Sequence, residues 1–513
     1  MKNGRVEDDV QVKIGRLAIL CVACLLLAAR PIAAGDLRLV EAVKNRDAQA
    51  VARLLAQKVD VTTTEPDGAT ALHHAVHLGD RDIAALLIRA GARVNVANDY
   101  GVTPLSLACT NGHAAIVDLL LNSGANPNTA SPVTGETPLM TAARTGIADV
   151  VKMLLDRQAD ANATEPRLGQ NALMWAAAEG HPQVVRLLVE RGADVRTRSK
   201  AGFTPLLFAA RTGNVELVQI LLGAGAGINE EAADGTTALA VATIRSHISL
   251  ARHLLTKGAD PNKGPGFTPL HWAAGNWSNT DIVADAGARS DNNEWSALEG
   301  LRGSTKREFV KLLLDRGANP NARAQGNPPR YGAGRARGGI LAGATPFFVA
   351  ARSGDAEVMR LLVAGGADPL LPNNQKMTAL MAASAVGVRG YSAVPERDAL
   401  EAIKLAVELG IDVNAVDASG DTALHGTAYR GNSGANTLIQ FLVDKGAKLN
   451  AKNIYGWTPL AISEGIYYGG SDTRSDTTAA FFRSLGAESS PSNVERDGNV
   501  ALLKAGRTKE PLR

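Results

Sequence analysis

The stretch TPLSLACTNGHAAIVDLLLNSGANPN, from Thr103 to Asn128, contains the two phrases that decide the fold. It opens with Thr and Pro, which suit a helix start because Thr can cap the N-terminus and Pro needs no amide donor in the first turn. Gly112 then ends that helix, since a left-handed residue is accessible to Gly at little cost. A second helix follows, with apolar residues such as Val117 and Leu121 at helical spacing.

Both phrases recur along the chain. The first returns as T-P-L and close variants, and six of its ten steps are 33 or 34 residues long. Its copies begin at Thr70, Thr103, Thr137, Asn171, Thr204, Thr237, Thr268, Thr345, Thr378, Thr422 and Thr458. A turn glycine lies two residues before each copy except Thr378, where Lys376 takes its place. In-phase phrases at this period indicate an array of helix–turn–helix repeats.

This pattern resembles that of ankyrin-repeat proteins, over residues 36–487 and in about twelve units. The resemblance implies an all-α fold, a solenoid of helix–turn–helix units with β-hairpin fingers between them. It also implies a non-catalytic scaffold that binds a partner protein on the concave face of fingers and first helices. His73, His271 and His425, at the fourth position of the phrase, would then be structural residues that tie a first helix to a neighbouring finger.

The first 35 residues have the features of an export signal. Lys13 and Arg16 precede an apolar run from Leu17 to Ala29, and small residues follow it. The run is shorter than the ~20 residues that span a bilayer. We therefore predict a signal peptide at 1–35 and a periplasmic or secreted protein; the alternative is an uncleaved anchor in the inner membrane. Residues 488–513 are predicted to be a polar tail, with at most a short helix at 500–505.

Composition and motifs favour binding over chemistry. The net charge of +3 is small for 513 residues, which argues against a nucleic-acid binder. The chain carries no HExxH, paired CxxC, phosphate-binding glycine loop or GxSxG motif, and we predict no cofactor, metal or catalytic residue. After signal cleavage only Cys109 remains, which excludes an internal disulfide, and its place near the end of a first helix predicts packing. We expect a monomer.

Four insertions interrupt the repeats, at 276–305, 324–343, 386–397 and 467–476. The first, third and fourth separate the two helices of a unit, whereas the second enlarges a finger. Long loops in repeat arrays often lie on a binding face, but they are also tolerated at little thermodynamic cost. One hypothesis is a shared functional patch, and the alternative is decoration. A ligand-binding, metal-binding or enzyme-like role in 276–343 is the second hypothesis for function.

Two groups stand out among the candidate partner-binding residues. Arginines seven or eight residues after the phrase start predict a basic stripe suited to an acidic partner, although Arg near a helix C-terminus is also common for structural reasons. Trp277 and Trp295 lie in the first insertion, where they either pack it onto the solenoid or anchor an interface. The full set is Tyr100, Arg144, Phe203, Arg211, Arg245, Trp277, Trp295, Arg330, Tyr331, Arg352 and Arg430.

Overall fold

The computed structural model describes residues 36–277, 301, 303–326, 341–386, 394–430, 435–465 and 474–488. These residues contain 24 α-helices. The chain divides into two compact units, unit 1 (Met1–Asp194) and unit 2 (Val195–Arg513). The all-α class predicted from the repeat is confirmed.

Unit 1 consists of helix pairs, each formed by one repeat. Its described helices are α1 (Arg38–Lys44), α2 (Ala48–Ala56), α3 (Ala71–His77), α4 (Arg81–Arg89), α5 (Pro104–Asn111), α6 (Ala114–Asn122), α7 (Pro138–Thr145), α8 (Ala148–Asp156), α9 (Ala172–Glu179) and α10 (Pro182–Glu190). Each first helix packs against its own second helix, and consecutive first helices within the unit pack against each other.

Unit 2 continues the same alternation of first and second helices. Its described helices are α11 (Pro205–Thr212), α12 (Val215–Gly223), α13 (Ala238–Ile244), α14 (Ile248–Thr256), α15 (Pro269–Ala274), α16 (Gly303–Asp315), α17 (Pro346–Arg352), α18 (Ala356–Ala364), α19 (Ala379–Ala383), α20 (Glu396–Glu408), α21 (Ala423–Tyr429), α22 (Asn436–Asp444), α23 (Pro459–Ser463) and α24 (Asp476–Ser484). Helix α16 begins four residues before the predicted start at Arg307, because the buried Lys306 extends the buried face of Phe309 and Val310 toward the N-terminus.

Local sequence explains where the first helices begin and end. Thr103 lies in extended backbone and its side chain accepts from the amide of Ser106, as an N-cap does. Gly112 ends α5 in the left-handed region at φ 70°. Lys376, which replaces the turn glycine, adopts the same left-handed backbone at φ 59°. The fold therefore keeps this turn conformation even where the residue is less suited to it.

The fingers are present as tight turns closed by single backbone bonds, such as that from the amide of Asn98 to the carbonyl oxygen of Val102 at 3.0 Å. The described fingers contain only isolated bridges, Thr64 with Thr70 and Thr164 with Asn171, and no longer ladder. The reason lies in side chains at the finger base, which take the amides that a paired strand would bind. Asn98 is an example, because its Oδ1 accepts from the amides of Tyr100 at 3.2 Å and Val102 at 2.8 Å.

The phrase histidines have the predicted structural role. In His271, Nδ1 accepts from the amide of Thr268 at 3.2 Å, and Nε2 lies 3.1 Å from the carbonyl oxygen of Ala344 in the next finger. His73 and His425 make the equivalent contacts with Val102 and Trp457. Since Nδ1 accepts and Nε2 donates, each ring is neutral. Burial lowers the pKa of His271 to about 4, because desolvation disfavours the imidazolium.

Cys109 packs in the core of unit 1, as predicted. Its side chain is buried, and burial raises the pKa of the thiol to about 12. A thiol held protonated in this way is a poor nucleophile. Across the described ranges, no helix combines the length and the apolar character needed to cross a membrane.

Candidate functional site

The fingers of unit 1 stack closely enough for their tips to form a row. The amide of Asp99 donates to the carbonyl oxygen of Asp67 in the preceding finger at 2.8 Å. A Cβ added at Gly101 would lie 2.6 Å from Cδ of Pro132 in the following finger, so this turn requires glycine. Consecutive tips are therefore in direct contact, and residues at neighbouring tips present one surface.

Three successive tips of this row expose large apolar side chains. Tyr100 is 68% exposed, Val133 69% and Leu168 42%. Tyr100 and Leu168 lie immediately before the turn glycine of their finger, and Val133 lies two residues before it. We call these three residues the fingertip row.

The backbone that carries the fingertip row is held in place locally. The Glu165 carboxylate accepts from the amides of Arg167 at 2.7 Å and Leu168 at 2.8 Å. Burial opposes ionisation of Glu165, yet these and neighbouring amide donors hold the pKa of its carboxyl below the ordinary value. Asn98 holds the Tyr100 turn in the same manner. The row is thus presented by fixed turns, which lowers the entropy lost when a partner binds.

Arg144 is the predicted stripe residue that lies in unit 1. Its guanidinium carbon is 4.8 Å from the centroid of the Trp175 ring, a cation–π arrangement. Its Nη2 is 4.0 Å from the carboxylate of Glu136, which belongs to the adjacent finger. The arginine is exposed and held by both neighbours, next to the fingers that carry the row.

Three of the four predicted stripe arginines of unit 2 are accessible, and the fourth is buried. Arg211, Arg245 and Arg352 are partly exposed at the ends of first helices, and Arg211 lies 5.8 Å from the Phe208 ring. Phe203, a predicted contact residue, is also partly exposed and its ring centroid is 5.9 Å from that of Phe208. These side chains remain accessible to a partner.

The prediction that Arg430 lies on the surface is wrong. It is 1% exposed, and its Nη2 donates to the carbonyl oxygen of Val394 at 2.7 Å. Val394 belongs to the end of the third insertion, which returns to the repeat at this point. Burial lowers the pKa of the Arg430 guanidinium below its usual range. The residue therefore anchors an insertion and does not complete the stripe.

Trp277 packs the first insertion onto the repeat. It is 8% exposed, and its Nε1 donates to the carbonyl oxygen of Trp272 at 2.8 Å. Its ring centroid lies 5.2 Å from that of Trp272 and 6.0 Å from that of Phe267. Of the two alternatives for Trp277, packing is the one the structure bears out. Trp295, Arg330 and Tyr331 lie outside the described residues.

We call the described residues at which an insertion leaves or rejoins its repeat the root of that insertion. A polar cleft of about 610 Å³ lies in unit 2, where the roots of the first and third insertions meet. Asn276 contributes from the first root, and Arg397 and Asp398 contribute from the third. Lys306 binds two of the residues that line the cleft: its side chain is 2% exposed, and its Nζ donates to Asp355 and to Asn276, both at 2.8 Å. Burial lowers the pKa of Lys306, whereas the Asp355 charge opposes that shift. Described residues at the roots of the first and third insertions therefore line one cleft.

Sequence reasoning missed Lys306, Val133 and Leu168. Lys306 gave no signal, because a lysine at the start of a helix is usually solvated. Val133 and Leu168 did give a signal in the sequence, since a large apolar residue at a finger tip has no core to enter. Among the described residues, no three His, Cys, Asp or Glu side chains are grouped so that they could hold a metal ion.

The comparisons with known proteins agree with the repeat pattern. A family model described as "Ankyrin repeats (3 copies)" matches residues 39–131, 128–199 and 191–265, and the single "Ankyrin repeat" model matches 342–374 and 419–454. The crystal structure of the human ASB11 ankyrin repeat domain is similar at 31% identity and a TM-score of 0.40, over 44% of this chain and 98% of that one. No curated protein matches. Since the family models account for more than half of the 513 residues and agree in phase with the helix pairs, the chain belongs to the ankyrin-repeat family.

Proposed function

We propose that this protein is a scaffold that binds a partner protein through the fingertip row of unit 1. The observation that carries the proposal is the exposure of Tyr100, Val133 and Leu168 on three stacked fingers. A contiguous apolar surface on a folded domain commonly marks an interaction site. Tyr and aliphatic side chains on a rigid backbone bury much area on binding and lose little conformational freedom. Ankyrin repeats are in general protein-interaction modules, which supports this role.

The partner is expected to be acidic near the row. Arg144 is an exposed cation fixed over Trp175 beside the fingers, and its contact with Glu136 at 4.0 Å leaves room for a stronger carboxylate partner. An acidic group of a partner would form a charge-assisted hydrogen bond there. Binding should then weaken as salt increases, because exposed pairs are screened.

A capture experiment with a matched variant tests the proposal. The full chain is immobilised and challenged with an extracytoplasmic extract of its source cells, beside the Tyr100→Ser/Val133→Ser/Leu168→Ser variant. A stoichiometric partner retained by the wild type and lost by the variant is expected. The control is Leu370→Ser, which removes a 56% exposed side chain from a finger of unit 2 and should retain the partner. Equal capture by all three proteins would contradict the fingertip site.

Export of the protein is part of the same proposal. The basic residues, apolar run and small residues of 1–35 support cleavage and release into the periplasm or the medium. N-terminal sequencing of the protein from its source should find a chain that begins near Asp36. A chain that retains Met1 and sediments with membranes would favour the uncleaved anchor.

A second function is favoured by the cleft between the insertion roots. Its lining mixes carboxylates and guanidinium groups, including Glu357, Arg360 and Glu401, and suits a small polar ligand. Native mass spectrometry of the purified protein tests this alternative. A bound molecule that disappears when residues 278–300 are deleted would support it; unliganded protein in both forms would count against it.

A further inference from the structure

We propose that Lys306 and Asn276 react with each other and form an isopeptide bond, with Asp355 as the group that transfers the protons. The bond joins Nζ of the lysine to Cγ of the asparagine and releases ammonia. It closes the first insertion covalently at its root, because the two residues lie on either side of residues 278–300. The inference does not depend on the fingertip row and concerns unit 2 alone.

The three side chains are already in contact. Nζ of Lys306 lies 2.8 Å from Oδ1 of Asn276 and 2.8 Å from Oδ2 of Asp355. The lysine side chain is 2% exposed, whereas Lys152 and Lys404, which also form ion pairs, have side chains that are 58% and 40% exposed. An amine, a carboxamide and a carboxylate thus meet around one buried nitrogen.

Burial prepares the lysine to act as a nucleophile. It lowers the pKa of Lys306 because desolvation disfavours the ammonium form, while the Asp355 charge opposes the shift. A lysine amine is activated in this way when it is removed from water. The Asp355 carboxylate is within hydrogen-bonding distance of the proton that must leave Nζ, as a general base has to be.

The amide that is attacked is held on both sides. The backbone amide of Asn276 donates to Oγ of Ser353 at 2.9 Å, and its Nδ2 donates to the Ser353 carbonyl oxygen at 3.3 Å. These bonds leave Oδ1 directed at the lysine. Asp355 is fixed as well, since its Oδ1 accepts from the amide of Val358 at 3.1 Å. Reactants that are held in contact lose little further freedom on the way to the transition state, which accelerates the step.

The cleft of unit 2 gives the leaving group a way out. Asn276 and Asp355 both line this cleft of about 610 Å³. Asn276 is exposed, whereas Lys306 is covered. Ammonia released at Asn276 therefore passes directly into solvent, and its dilution makes the reaction effectively irreversible.

The atoms and electrons of the step balance without an oxidant or a cofactor. Asp355 takes a proton from the Lys306 ammonium, and the freed lone pair on Nζ forms a bond with Cγ of Asn276 as the carbonyl pair moves to Oδ1. That pair then returns, and the Cγ–Nδ2 bond breaks. Asp355 passes the two protons lost by Nζ to Nδ2, which leaves as an ammonium ion. A lysine ammonium and a carboxamide become a secondary amide and ammonium, and nothing is oxidised or reduced.

The bond has a structural consequence for the repeat. Lys306 follows Asn276 by 30 residues. A covalent link across such a loop restricts the unfolded chain, as a disulfide does. The end of α15 and the start of α16 stay joined even when the repeat opens, so the bond serves in place of a disulfide.

Peptide mapping of the full chain tests the bond directly. Trypsin cleaves after lysine and arginine, so the unreacted chain yields the separate peptides 264–289 and 303–306. A modified Lys306 is no longer a cleavage site, and the reacted chain yields 264–289 joined to 303–307, lighter than the two peptides together by one ammonia. Tandem mass spectrometry should place the junction at Asn276 and Lys306. Separate peptides only, or a junction between Lys306 and Asp355 with loss of water, would overturn the proposal.

Three variants identify the source of the lost ammonia. Lys306→Met should abolish the joined peptide, whereas Lys311→Met, which removes an exposed lysine from the same helix, should retain it. Asp355→Asn keeps an oxygen for the Val358 amide but removes the base, so the variant, shown to be folded by far-UV circular dichroism, should contain little or no joined peptide. Equal amounts of joined peptide in Asp355→Asn and the wild type would overturn the assigned role of Asp355.

Discussion

Units 1 and 2 make the same contacts between neighbouring repeats, although they do so across different lengths of chain. In unit 1, His73 reaches the next finger at Val102, 29 residues on, with Nε2 3.0 Å from the carbonyl oxygen. In unit 2, His271 reaches the next finger at Ala344, 73 residues on, at 3.1 Å. The stacking geometry therefore does not depend on the length of the connection, since loop closure becomes only slowly more unfavourable with length.

The units differ at the roots of the insertions. The described repeats of unit 1 are uninterrupted and join their helices by short turns. In unit 2, an aromatic cluster of Phe267, Trp272 and Trp277 lies at the first root, and Lys306 and Arg430 are buried beside the first and third roots. A repeat therefore accommodates an insertion when the residues at its root are buried as part of the core. The insertion then leaves the repeat at a fixed point.

The largest expected effect comes from removing the aromatic cluster at the first root. Phe267→Ala should destabilise unit 2 by about 3–5 kcal/mol, because this ring is 0% exposed and packs against both tryptophans. Phe203→Ala changes the same repeat position where the ring is partly exposed, and should cost roughly 1 kcal/mol. Urea unfolding followed by tryptophan fluorescence measures both. Equal losses of stability in the two variants would show that the buried ring at the root contributes no more than a partly exposed ring does.

Acid should destabilise unit 2 through His271. Its pKa falls from an ordinary 6.5 to about 4 on folding, so the stability it contributes is complete above pH 6.5 and is lost as the pH falls toward 4. The loss amounts to roughly 3 kcal/mol. His425 acts in the same direction, whereas burial raises the pKa values of Asp417 and Asp421, which act in the opposite direction.

Urea unfolding at pH 7, 6 and 5 checks this titration. The His271→Leu variant should lose less stability between pH 7 and pH 5 than the wild type does. If His271→Leu has the same pH dependence of stability as the wild type, the acid sensitivity of unit 2 does not come from His271.

Lys306 tests whether charge at a root matters more than charge on the surface. Lys306→Ala removes a side chain that is 2% exposed and leaves Asp355 and Asn276 without their donor, at an expected cost of about 2–3 kcal/mol. Lys152→Ala in unit 1 removes an exposed pair with Asp156 at 2.6 Å and should cost less than ~0.5 kcal/mol. Thermal unfolding of both variants gives the comparison. A Lys306→Ala protein as stable as Lys152→Ala would contradict the structural role of the buried pair.

One contact between neighbouring repeats should matter equally in both units. Asn95 bonds Gly124 and Asn126 of the next repeat, and Asn262 makes the equivalent bonds to Gly317 and Asn319 across the first insertion. Replacing either asparagine by Ala should cost about 1 kcal/mol, because two partly exposed hydrogen bonds are lost. Hydrogen exchange at the bonded amides measures each. A much larger effect for Asn262→Ala would mean that the insertion makes this contact more critical.

The repeat period allowed most of the fold to be predicted, because each phrase residue has a local task. The threonine caps, the left-handed turn at Lys376 and the histidine ties all follow from neighbours a few residues away or one repeat away. Arg430 was misplaced because its burial depends on Val394, which an insertion of unpredictable path brings over it. The row of Tyr100, Val133 and Leu168 was only partly foreseen, since exposure of an apolar residue is visible only once the fingers stack.

The proposed binding function is tested most directly by one titration with the purified partner. Its Kd for the wild type is compared with that for Tyr100→Ser/Val133→Ser/Leu168→Ser in unit 1 and for Glu357→Ala/Glu401→Ala at the cleft of unit 2. We expect the fingertip variant to bind at least about tenfold more weakly, a loss of ~1.4 kcal/mol, and the cleft variant to bind as the wild type does. Unchanged binding by the fingertip variant, with loss in the cleft variant, would contradict the proposal and move the site to the insertion roots.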